Sequence, residues 1–163
     1  MALADRFFRI DKDKARPFTK NDRNIMLRYL RKCDFPDNIY LTEVKLYWYQ
    51  ELKKRGLRGA FVTYYPDCVF LPPVAVPVIG ERSTPQLRKF AEDNYDSNIK
   101  DAAPIAIHEI EHISQYKEYG PFKYGLYSLP GLYNTMLDGP AYARESAAAV
   151  TLTLNPQLYG RPL

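Results

Sequence analysis

Apolar residues three and four positions apart predict a first helix over residues 20–33, where Ile25, Met26, Tyr29 and Leu30 share a face. Thr19 reads as its N-cap, Asp22 three residues on supplies a variant of the capping box, and Pro36 lies where the helix must have ended. The residue types then change. Ile39, Tyr40, Leu41, Thr42 and Val44 favour extended backbone and predict a strand over residues 38–44. A helix is expected over residues 45–54, stopped by Gly56. Two β-rich runs, 59–64 and 68–71, flank Tyr65-Pro66-Asp67, whose proline presets a turn, so they read as a hairpin.

Leu71-Pro72-Pro73 ends the hairpin. Residues 72–84 read as a surface loop, with Val74, Val76, Val78 and Ile79 packed or lying beside a groove. Ser83 or Thr84 caps a short helix that carries Pro85, Leu87, Phe90 and Ala91 and ends before Asn94. A central helix is expected from an Asp101 cap to about Tyr116, with Pro104 tolerated in its first turn. Gly120-Pro121 breaks it. Residues 122–136 are aromatic and interrupted by Pro130-Gly131, giving one helix or two short ones, and Pro140 opens a last helix over residues 141–150. The expected organisation is an N-terminal arm (1–18, with Phe7, Phe8 and Ile10 tucked onto the domain), one domain (19–154) and an extended tail (155–163). The fold class is α+β, mostly helical, with a small β-hairpin or sheet preceding the central helix.

On the central helix the wheel separates. Ala106, Ile110 and Ile113 form an apolar back with Ile107 at its edge, while Ile105, His108, His112 and Gln115 share the front. His108 and His112 are the only histidines in the chain, and Glu109 directly follows the first. This is H-E-x-x-H. Residues i and i+4 lie one turn apart on one face, so both imidazoles can aim at one metal ion, with the glutamate handling protons for a zinc-activated water.

Two histidines leave zinc short of the three protein ligands that a catalytic site commonly has, so a carboxylate or thiolate must complete the set. Glu145 is the best candidate, on a helix whose neighbouring Ala141, Ala148 and Ala149 allow close approach. Asp138 is the runner-up, and Glu118 is too near in sequence to reach round. Glu109 and Glu111 flank the histidine pair almost symmetrically, and the motif selects Glu109 as general base. Tyr142, one turn before Glu145, is a candidate partner for a developing oxyanion, and Gln115 a candidate hydrogen-bond support for His112.

Composition adds limits. The chain has 163 residues, which makes one domain the default, and 14 tyrosines, suited to half-buried surfaces and grooves. The net charge of +4 is scattered, and no stripe of Lys and Arg alternates with aromatics as nucleic-acid binding would need. Cys33 and Cys68 form no C-x-x-C and read most simply as free thiols, with one bridge left open. No secretory signal or membrane span is visible, so a cytoplasmic protein is expected, with export by a signal-independent route left open.

The run from His108 to Gln115 resembles the H-E-x-x-H-x-x-Q motif of small gluzincin-type zinc metallopeptidase domains, found in bacterial toxins and in proteins tied to contractile injection systems. The runs Gly59-Ala60-Phe61-Val62-Thr63 and Cys68-Val69-Phe70-Leu71 are similar to that family's hairpin, whose edge lies beside the substrate cleft. The resemblance covers roughly residues 38–150. It departs in the long segment between hairpin and helix and in the aromatic residues 121–136. It implies a zincin-like fold, one Zn2+ per chain held by His108, His112 and Glu145, and hydrolysis of a peptide or protein substrate with Glu109 as base. The alternative expectation is a non-catalytic zinc-binding structural or interaction module of a phage or secretion particle.

Overall fold

A computed structural model describes residues 9–73 and 84–154. A 3-10 turn, Lys12–Lys14, leads to β1 (Arg16–Pro17), α1 (Lys20–Leu30), β2 (Lys45–Trp48), α2 (Gln50–Lys54), β3 (Ala60–Phe61) and β4 (Cys68–Leu71). The long α3 (Pro85–Tyr127) is interrupted at Gly120; a π-turn, Asn134–Asp138, then leads to α4 (Gly139–Leu154). Among the described residues this is an α+β chain, helical for the most part, with one four-stranded sheet in the order β1-β2-β4-β3. The expected positions of Phe7, Phe8, the valines of the 72–84 loop and the tail 155–163 lie outside the described residues.

The capping box forms as the sequence reads. Thr19 Oγ1 accepts from the Asp22 N–H at 3.1 Å, and Asp22 Oδ2 accepts from the Thr19 N–H at 3.0 Å. Asp22 is buried and also accepts from Trp48 Nε1 and the Tyr95 hydroxyl, so one carboxylate ties α1 to β2 and α3. Gly56 and Gly120 both have positive φ, at 67° and 71°, and end their helices where the sequence places the stops.

Two elements differ from expectation. The strand begins at Lys45, not before it, and α2 is correspondingly short. The Arg23 guanidinium donates to the carbonyls of Leu41, Thr42 and Val44, folding that stretch into turns. Beyond it, Lys45 to Trp48 pairs in parallel with Cys68 to Leu71. Similarly, α3 does not restart at Asp101. Its buried stripe runs on upstream through Ala103 and Ile99, and a helix with that much burial tolerates the one hydrogen bond that Pro104 removes. The hairpin forms, with Ala60 opposite Phe70 and Phe61 opposite Val69. Tyr65 N–H then turns back onto the Val62 carbonyl, which limits β3 to two residues.

All four residues of β4 are buried, and its period of two serves two cores. Val69 and Leu71 pack with Leu46 and Trp48 against α1 and α3, including Met26, Leu30, Ile99, Ile107 and Ile110. Cys68 and Phe70 pack on the other face with Ile10, Tyr49, Leu52 and Val62. Cys33 and Cys68 are both free and buried, and burial pushes each thiol up to about 11. Among the described residues no helix is long and apolar enough to cross a membrane.

Candidate metal centre

The front of α3 is covered rather than open to bulk solvent. β3 lies on one side and the π-turn with α4 on the other, leaving a cleft of about 420 Å³ lined by His108, Glu109, His112, Asp138 and Glu145. The backs of the same turns are fixed by Ala106, Ile107 and Ile110, each fully buried. The rings of Phe61, Tyr116 and Tyr124 meet at 5.5 to 5.9 Å, clamping β3 to α3 on both sides of the Gly120 break.

The two imidazoles converge. His108 Nε2 lies 3.2 Å from His112 Nε2. Asp138 Oδ1 stands 3.2 Å from the first nitrogen and 3.6 Å from the second. One ligand atom from each of these three residues lies within 4.8 Å of the others. The neighbours orient the rings. Gln115 Nε2 donates to the Leu137 carbonyl at 2.8 Å, which turns its Oε1 toward His112 Nδ1 at 2.9 Å. His112 therefore carries its proton on Nδ1 and offers a lone pair at Nε2. On His108, Nδ1 faces Glu145 Oε2 at 3.0 Å, a charge contact without an aligned hydrogen bond, and the carboxylate favours the proton on that nitrogen too.

Glu145, expected as third ligand, thus sits on the far nitrogen of His108, with its other oxygen 2.5 Å from Arg58 Nη2. Asp138 occupies the position shared by both Nε2 atoms. It ends the π-turn, and Gly139 lets that turn close: a Cβ there would stand 2.8 Å from the Asn134 carbonyl oxygen. The structure separates the two glutamates that the helical wheel left equivalent. Glu109 is buried at the cleft, whereas Glu111 pairs with Arg144 Nε at 2.5 Å and joins α3 to α4. Tyr142 is half-exposed, its ring edge-on to His108 at 4.6 Å.

Two residues at the site were not singled out from the sequence. Arg58 is the one Lys or Arg among the described lining residues, and nothing in its spacing marks it. Tyr133 stacks on His112 at 6.2 Å. Burial first, then the negative charge of Asp138 to which its hydroxyl is hydrogen-bonded, raises its pKa and keeps it protonated. Among 14 tyrosines no pattern distinguishes it.

The charges are unevenly matched. Burial raises the Glu109 pKa, partly offset by the imidazoles. Burial alone would lower that of His108, but Asp138, Glu109 and Glu145 carry it above its ordinary value. Asp138 is lowered: burial opposes its charge, and the hydrogen bonds that both histidines donate to it when each carries a proton on Nε2 outweigh burial, protons that a bound cation would replace. Three carboxylates face two imidazoles and one guanidinium, with two nitrogen lone pairs aimed at a common point. That donor set, nitrogen and carboxylate oxygen with its outer nitrogens supported, fits a divalent cation. Searches of the chain against models of protein families, curated proteins and solved structures found no match.

Proposed function

We propose that the protein is a zinc-dependent metallopeptidase of zincin-like character, and that His108, His112 and Asp138, an aspartate where the gluzincin pattern has a glutamate, hold the metal with Glu145 and Gln115 supporting the two imidazoles. The observation that carries this reading is the meeting of both Nε2 atoms with Asp138 Oδ1 beside the buried Glu109, inside a cleft bordered by β3. A bound zinc ion supplies a positive centre that acidifies water and polarises a carbonyl.

The remaining chemistry belongs to the chain. Glu109, buried at the cleft beside both imidazoles, is placed to take a proton from the attacking water and to return it to the amine nitrogen as the C–N bond breaks. Tyr133, held protonated, can donate a hydrogen bond to the negative oxygen that develops on the scissile carbonyl once its hydroxyl turns from Asp138. Tyr142 lies on the same side and is the second candidate for that role.

Metal analysis with a peptide-library digest tests the proposal. The expected result is about one zinc per chain, lost in His112→Ala, and cleavage abolished in Glu109→Gln with the metal retained. Zinc held tightly with no cleavage of any unfolded protein would replace the peptidase by a non-catalytic zinc-binding module.

A further inference from the structure

We infer that Gly59 is a positioning residue for Glu109, an inference that rests on the peptidase reading for its catalytic consequence but not for its geometry. Gly59 directly precedes β3, and its Cα lies against α3. A Cβ built there would stand 2.7 Å from Glu109 Oε1, 3.1 Å from Glu109 Cγ and 2.9 Å from Ile105 Cγ2. Carbon atoms do not approach this closely, so a side chain at residue 59 and the present Glu109 rotamer exclude each other.

The part that yields is determined by what surrounds it. The α3 backbone cannot retreat, because Ala106, Ile107 and Ile110 behind it are fully buried. Two groups must give, the partly buried Ile105 methyl and the carboxylate end of Glu109, and the carboxylate is the more flexible of the two. Gly59 has an ordinary negative φ, so Gly59→Ala brings no backbone strain of its own. The absence of a side chain at residue 59 thus fixes the Glu109 carboxylate against the strand that borders the cleft. Displacement of a proton-transfer group by about 1 Å is enough to cost about 10²-fold in rate.

The experiment compares the parent, Gly59→Ala, Glu109→Gln and, as a control, Gly125→Ala, where a Cβ meets nothing within 4 Å. Each is loaded with Co2+ in place of zinc, and Co2+ affinity, the visible absorption spectrum, thermal melting and peptide cleavage are measured. Gly59→Ala is expected to bind Co2+ within about threefold of the parent and to melt normally. Its Co2+ spectrum should move toward that of Glu109→Gln, and kcat should fall about 10²-fold with KM changed less than about threefold. In a Glu109→Ala background, which has neither the Cγ nor the carboxylate that the new Cβ meets, Gly59→Ala should leave the Co2+ spectrum unchanged. A Gly59→Ala protein with the parent spectrum and kcat overturns the inference, as does a Gly59→Ala change that shifts the Co2+ spectrum as much beside Glu109→Ala as it does in the parent. If the parent cleaves nothing while Gly59→Ala still shifts the spectrum toward that of Glu109→Gln, the peptidase reading fails and the positioning role stands.

Discussion

Gln115 Oε1 lies 2.9 Å from His112 Nδ1 while the same side chain donates to the Leu137 carbonyl at 2.8 Å, so a single amide fixes both an imidazole and the backbone that presents Asp138. Gln115→Leu keeps the volume and removes both bonds. Outer partners of metal-binding histidines contribute about 10- to 100-fold in affinity, and zinc binding, read by competition with a chromophoric chelator, should weaken by that factor. The stranded Leu137 carbonyl and His112 nitrogen should also cost the metal-free protein about 2 kcal/mol in denaturant unfolding.

Asp138 and Glu145 can be ranked by the same titration. Glu145 touches the outer nitrogen of His108, and Asp138 stands between the two inner ones. Asp138→Ala should therefore weaken zinc at least about tenfold more than Glu145→Ala, whose loss belongs to the range of an outer carboxylate. The opposite order would make Glu145 the third ligand and Asp138 its support.

The pH dependence of stability should change sign when metal is added. Folding raises the His108 pKa from 6.5, so this group stabilises the metal-free protein fully below that value, and the contribution is lost as pH rises through the folded pKa. Asp138, lowered from 3.8, contributes above that value and loses it only on strong acidification, so it is constant across the neutral range. Zinc competes with protons for both Nε2 atoms, so its stabilisation grows with pH. Melting with chelator should therefore fall between pH 6 and pH 8 relative to melting with zinc, and the gap between the two should widen. A gap independent of pH would separate metal binding from the histidines.

Outside the cleft, Asp22 is a buried acid with several partners. It accepts from the Thr19 N–H, Trp48 Nε1 and Tyr95, and its pKa is lowered: burial works against the charge, and the bonds from Tyr95, Trp48 and Thr19 overcome it. Asp22→Ala leaves the indole N–H without its partner and opens the cap of α1. About 3 kcal/mol of stability should be lost in urea unfolding, with zinc affinity unchanged because Asp22 is not among the residues that line the cleft.

Local chemistry accounts for what could be read in the chain directly. Thr19 with Asp22, Gly56 and Gly120-Pro121 act through their own backbone, so their effects need no knowledge of neighbours. The His108–His112 spacing is of the same kind. The start of β2 is not, because it depends on Arg23 reaching carbonyls about twenty residues away and on a parallel partner in β4. The continuity of α3 past Pro104 depends on burial against α1 and the sheet. The choice between Asp138 and Glu145 was invisible for a related reason. Both face His108, and the π-turn closed by Gly139 sets which oxygen comes between the rings.

The sheet also carries its own safeguard. Its outermost members, β1 and β3, are two residues each, and β1 ends in Pro17, which has no amide hydrogen to offer a neighbour. Such stubs give little template for a second molecule to polymerise upon. Among the described residues the wholly apolar β4 is thereby kept enclosed between β2 and β3, with no long strand border left to template a second molecule.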